Sequence, residues 1–146
     1  MAHAAPRTRG AIERGSTTDV FSGRAHRAAL VAMPVLLGLV YGYWAAANRR
    51  HGGPITGWNL LFGFLTALAF AVVLMALLTL APKLRRELHA VAWAAFSGIA
   101  VGFLFSQSGG SVLRSTALSL AVAAGVFATM FYRFYTHEDA EGHRIT

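Results

Sequence analysis

Four apolar runs, about residues 28–47, 58–81, 88–105 and 112–132, decide what this chain can become. Each is close to the ~20 residues that an α-helix needs to cross the hydrocarbon core of a bilayer. The second is the most hydrophobic, with only Thr66 and Thr79 as polar interruptions between residues 60 and 80. Lipid offers no hydrogen bonds to a backbone, so a run of this kind must be helical to satisfy its own N–H and C=O groups. The expected fold class is therefore an all-α membrane protein with four transmembrane helices. The connections are short enough to make sequence neighbours spatial neighbours, which gives an antiparallel up-down bundle. Composition agrees: the 146 residues are 55% hydrophobic and 13% charged, with a mean hydropathy of +0.51, far from soluble usage.

The flanks read differently. Residues 1–27 carry five arginines against Glu13 and Asp19 and show no helical period, so a disordered basic cytoplasmic arm is expected there. Residues 28–135 make the four-helix domain, and 136–146 a polar cytoplasmic tail. The first run ends in Ala45-Ala46-Ala47, a pattern that signal peptidases accept. Its charged preface is long and contains acids, however, and the run exceeds the about 7–15 residues of a signal core, so retention is expected. Tyr41, Tyr43 and Trp44 read as an interfacial belt, as does the cluster Phe131-Tyr132-Arg133-Phe134-Tyr135.

Orientation follows from the basic residues. The arm, the 82–87 loop and the C-terminal end from Arg133 onward hold ten of the thirteen, and the other two loops hold Arg49, Arg50 and Arg114. Both termini are thus expected in the cytoplasm. The same logic absorbs the net charge of +7, and no aromatic residues interleave with the arginines as nucleic-acid binding would require. One lysine against a dozen arginines and abundant alanine point to a GC-rich bacterial genome, hence a multi-pass protein of a bacterial cytoplasmic membrane.

The first and third runs share a pattern. Gly38 and Gly42, and Gly98 and Gly102, are four apart; an aromatic follows each pair, then a diglycine turn, then a run with small residues. In the second run these are Gly63, Ala67 and Ala71, and the proposed counterparts in the fourth are Ala117, Ala121 and Gly125. Two readings stand: a duplicated hairpin, both copies starting on the same side, or chance likeness among Gly/Ala-rich helices. Each GxxxG is a helix-packing groove, filled either inside the bundle or by a partner. Isoleucine at one of these glycines is expected to cost close contact, and alanine to be mild.

Chemistry is sparse. No ionisable side chain sits at mid-depth in any run, which argues against an ion-coupled carrier. The chain has no cysteine, so disulfides and thiolate metal sites are excluded. His137, Glu138, Asp139, Glu141 and His143 gather ligand types at no recognised metal spacing, and neither metal nor cofactor is expected. Ser111, Ser115 and Ser119 recur every fourth residue and form a polar stripe on one helix face. With Gln107 that stripe either lines an aqueous path or bonds across packed helices. Arg114 and His89 stand at run ends, where they either touch lipid headgroups or simply snorkel. No serine–histidine–acid set, carboxylate pair or phosphate-cradling loop is discernible, so no enzyme is expected. The reading is a small non-catalytic membrane protein, a homo-oligomer or a subunit of a larger membrane complex joined through GxxxG faces, with lipid and self or another membrane subunit as partners. The alternative is an oligomeric channel or uncoupled carrier with a serine-lined path.

Overall fold

The ends of the helices are written in local chemistry. The computed structural model describes residues 23–137, which form α1 (Gly23–Arg50), α2 (Gly57–Leu80), a 3-10 turn (Ala81–Lys83), α3 (Arg86–Ser106) and α4 (Val112–His137). Arg49 and Arg50 close α1 against the negative end of its dipole. His51 and Gly52 then turn the chain at φ 47° and 81°, a left-handed conformation that glycine adopts without penalty. Thr56 caps α2 by accepting the Asn59 N–H at 3.2 Å, which supplies one orphan donor with a partner. Pro82 sits in the 3-10 turn, where the helix could not continue regularly. Gly109, again at φ 81°, makes the turn into α4.

No strand occurs among the described residues, and all four helices are long and apolar enough to cross a membrane. At 24 residues α2 runs roughly 36 Å. α1 begins earlier than expected: residues 23–27, assigned to the disordered arm, are helical. Arginine and alanine are good helix formers, and extending an existing helix needs no new nucleus. α4 likewise runs through His137, two residues into the expected tail. Residues 1–22 and 138–146, the remainder of the arm and most of the tail, lie outside the described residues.

Packing is concentrated in two hairpins. α1 lies along α2, and α3 along α4; the hairpins meet where α3 touches α1 and α2, while α4 packs on α3 alone among the described residues. The residue pairs give the directions. Gly38 faces Ala67 and Ala71 while Gly42 faces Gly63 and Ala67, so α1 and α2 are antiparallel. Gly98 faces Ser119 and Ala123 while Gly102 faces Ser115 and Ser119, so α3 and α4 are antiparallel too. α1 and α3 run parallel, as Tyr41 meets Ala100 and Asn48 meets Leu104.

The buried set is small in side-chain volume. It comprises Pro34, Gly38, Gly42, Ala45 and Ala46 in α1, Gly63, Ala67, Ala71 and Leu74 in α2, Ala81 in the 3-10 turn, Ala90, Ala94, Gly98 and Gly102 in α3, and Ser115 in α4. Large aliphatic side chains point outward, as expected when the solvent is lipid. With no hydrophobic drive between helices in that solvent, backbone proximity and dispersion contacts hold the hairpins. Pro34 opens the buried row of α1 and is fully enclosed.

Candidate functional site

Both glycine pairs are consumed inside their own hairpins. A Cβ at Gly38 would stand 2.6 Å from the Ala67 carbonyl oxygen and 3.0 Å from the Ala71 methyl. One at Gly42 would overlap the Gly63 carbonyl oxygen and lie 2.7 Å from the Ala67 methyl. Gly98 is confronted by the Ser119 oxygen and the Ala123 methyl, both at 2.8 Å, and Gly102 by the Ser119 Cβ at 2.6 Å. Real Cβ atoms do not come this close, so even alanine forces movement here. The expectation that alanine would be mild is corrected on that ground.

The counterparts in α4 also need correcting. Ala117, Ala121 and Gly125 are exposed, and a Cβ at Gly125 would meet nothing within 4 Å. The residues that face α3 are Ser115, Ser119 and Ala123. Size alone did not reveal this, because serine is small enough to pack and also donates a bond. Ser119 Oγ donates to the Gly98 carbonyl at 2.6 Å, and Ser115 Oγ to the Ser111 carbonyl at 3.1 Å. Ser111 Oγ accepts the Arg114 N–H at 3.3 Å, so this hydroxyl serves the start of α4. The Gln107 amide donates to Ser106 Oγ at 3.1 Å at the end of α3. The four polar residues thus fall near one hairpin end, with Ser115 and Ser119 turned onto α3. Arg114 lies over the Phe105 ring at 5.7 Å. His89 is half-buried in the first turn of α3, its N–H bonded to the Arg85 carbonyl at 2.8 Å.

A second feature, absent from the sequence reading, is the seam between hairpins. The Tyr41 hydroxyl donates to the Ala100 carbonyl at 2.6 Å, and the Asn48 amide to the Leu104 carbonyl at 3.3 Å. Tyr41 stacks on Phe70 at 4.3 Å, Phe70 meets Phe96 at 5.2 Å, and Phe62 faces Phe103 at 6.3 Å. Between these rings lies an open apolar cleft of about 510 Å³, walled also by Leu65, Val73 and Ile99. It can seat an apolar chain or side chain, and none of its walls bears a charge, thiol or imidazole. The signal for it was present in Asn48, an amide within an apolar helix end, and in phenylalanines two helical turns apart at 62 and 70.

A third feature is the end formed by the α1–α2 and α3–α4 loops. It gathers Arg49, Arg50 and Arg114, with the Arg49 guanidinium 4.3 Å over the Phe62 ring. The Nε of Arg50 is buried and has no hydrogen-bond partner. Among the described residues no group of three His, Asp or Glu side chains could hold a metal ion. No protein-family model matches this chain, and comparison with curated proteins and with solved structures gave no match.

Proposed function

We propose that this chain is a non-catalytic membrane protein that acts by assembly, as a homo-oligomer or as a subunit of a larger complex in a bacterial cytoplasmic membrane. The observation that carries the reading is the bare small-residue face of α4. Ala117, Ala121 and Gly125 form an exposed stripe of small residues, and among the described residues nothing lies within 4 Å of a Cβ at Gly125. Lipid tails have no need of small residues, whereas a second helix backbone does. The glycine pairs build the hairpins, and α4 offers the surface by which they assemble.

The repeat supports this. Gly38 and Gly42 use the same facing positions as Gly98 and Gly102, with α2 residues 63, 67 and 71 matched by α4 residues 115, 119 and 123. By that register Leu65, Ala69 and Val73, which line the cleft between α2 and α3, correspond to the exposed Ala117, Ala121 and Gly125 of α4, while Phe62 and Phe70, which touch α3, correspond to Arg114 and Val122. Among the described residues α2 thus has a second helix, α3, across this side, and α4 has none. The serine-lined path finds less support, since Ser115 and Ser119 bond backbone carbonyls within the hairpin.

The test is the mass of the full chain in lipid nanodiscs and detergent, alone and captured with its neighbours from its native membrane. Wild type should form a defined oligomer or carry a stoichiometric membrane partner, and Ala121→Leu should disperse it with helical content unchanged. A wild-type chain that is monomeric and partnerless under all these conditions sinks the reading. For sidedness, both termini are placed in the cytoplasm. A cysteine at Lys83 should then react with a membrane-impermeant maleimide from the cytoplasmic side and one at Gly52 from the other; the reverse pattern would invert the topology.

A further inference from the structure

The arginines at the α1–α2 end have no acidic counterpart in their part of the chain. No Asp or Glu occurs between Asp19 and Glu87, or between Glu87 and Glu138, so Arg49, Arg50 and Arg114 share an end of the helical domain whose loops carry no carboxylate. Arg49 and Arg114 rest on aromatic rings, and among the described residues neither has a carboxylate partner. Arg50 is half-buried, and its Nε, like that of Arg86 at the opposite end, is withdrawn from solvent and unbonded, so a phosphate would meet the outer N–H groups of its guanidinium. Carboxylate and phosphate both match the fork of a guanidinium, and at a membrane surface phosphate is the anion that lipid headgroups supply.

Directly beneath Arg50 lies an apolar groove of about 260 Å³ on the surface of the first hairpin. Its floor is made by small residues of the α1–α2 contact, Ala46, Ala47, Gly63 and Ala67, which leave the hollow. Leu39, Tyr43, Ile55, Leu60 and Phe64 stand up as its walls. From Arg50 to Leu39 the groove follows α1 for roughly 16 Å at the helical rise. That is close to half of the about 30 Å hydrocarbon thickness, the depth of one leaflet. A second hollow of about 460 Å³ shares Arg50, adds Arg49 and Trp58, and descends past Leu61 to Leu65. Two hollows under one pair of cations match a headgroup with two chains.

We propose that the α1–α2 end is a binding site for an anionic phospholipid, its phosphate held by Arg49 and Arg50 and an acyl chain laid in the groove between Arg50 and Leu39. The interfacial position of Trp58 fits the same depth, since indole rings favour the headgroup boundary. This site is independent of the α4 assembly face.

Native mass spectrometry of the full chain in neutral detergent tests it, with dioleoyl phosphatidylglycerol, dioleoyl phosphatidylcholine and inorganic phosphate as probes. Phosphatidylglycerol should bind saturably, one per chain, and phosphatidylcholine with the same tails about tenfold more weakly. Phosphate alone should not compete. Arg50→Gln should bring phosphatidylglycerol down to the phosphatidylcholine level. Ala47→Phe, which fills the groove and leaves both arginines, should also abolish the preference. Arg85→Gln, at the opposite end, should leave it intact. Equal binding of the two lipids overturns the proposal, as does undiminished binding by Arg50→Gln or full competition by inorganic phosphate.

Discussion

The two hairpins use one steric device with different latches. In the first, glycine meets glycine: Gly42 stands against the Gly63 backbone, and the side-chain bond across the pair is Asn59 to the Ala46 carbonyl at 2.9 Å. In the second, glycine meets serine, and Ser119 donates directly to the carbonyl of Gly98. The closest approach also lies nearer the loop in the second hairpin. Gly102 is four residues from the end of α3, whereas Gly42 is eight from the end of α1. At Gly42 the first hairpin is thus limited by backbone against backbone, whereas at Gly102 the second is limited by backbone against a side chain that can be changed, even though Gly98 also meets the Ser119 backbone oxygen. A close helix pair in lipid needs small residues on both faces, and which small residue is used decides what the contact can tolerate.

The largest expected effect follows from that limit. Gly42→Ala and Gly42→Ile both drive a Cβ into the Gly63 carbonyl, and no rotamer relieves it. Isoleucine should cost about 3 kcal/mol or more, as for overpacking in a contact that cannot yield. At Gly102 the nearest atoms belong to the Ser119 side chain, and the Ser115 carbonyl is 3.5 Å away. Gly102→Ala should therefore cost less than Gly42→Ala, and Ser119→Gly should rescue it. Reversible unfolding in mixed detergent, followed by circular dichroism, reads both. Equal costs at the two glycines, with no rescue, would erase the distinction between the hairpins.

A smaller effect is expected where the hairpins meet. Tyr41→Phe removes the bond to Ala100 and keeps the stack on Phe70. Asn48→Leu removes the bond to Leu104. Hydrogen bonds between membrane helices average about 0.6 kcal/mol, so the pair should loosen the seam while both hairpins stay formed. The chain has no native cysteine, so Thr66→Cys with Ile99→Cys gives a clean cross-link across the cleft. Cross-linking should slow in the double variant. An unchanged rate would mean that the aromatic rings alone fix the angle between hairpins.

The helices were legible because lipid demands uncharged length, and the four apolar runs supply it. The glycine pairs were legible as packing elements for a similar reason: two glycines on one face have few other uses. What they pack against was not. Ser115 and Ser119 looked like a polar stripe because composition separates serine from alanine, although both are small and a serine hydroxyl can bond a carbonyl across the contact. The seam was hidden because Tyr41 resembles its neighbours Tyr43 and Trp44 in the sequence. Only the helix rotation turns Tyr41 onto α3 and leaves Tyr43 and Trp44 exposed.

The smallest effect should come from the glycines of two small-residue stripes, one in α2 and one in α4, that the sequence treats as counterparts and the structure separates. Gly63 lies in the contact, where a Cβ would stand 3.1 Å from the Ala46 methyl and 3.3 Å from the Gly42 carbonyl oxygen. Gly63→Ala should cost about 1 kcal/mol, the low end of overpacking, since both neighbours must give way by a few tenths of an ångström. Gly125 faces open space, so Gly125→Ala should change the stability of the monomeric chain by less than about 0.5 kcal/mol. Higher helix propensity would tilt the change toward stabilisation. Alanine still admits a partner backbone, so the same variant should leave any assembly through α4 largely intact. The comparison must be made in detergent that keeps the chain monomeric, so that only packing within the hairpins is read. A Gly125→Ala cost matching that of Gly63→Ala would rotate α4 by about half a turn, since residues 115 and 117 are two positions of roughly 100° apart. It would put Ala117, Ala121 and Gly125 against α3, remove the bare face, and return Ser115 and Ser119 to the surface.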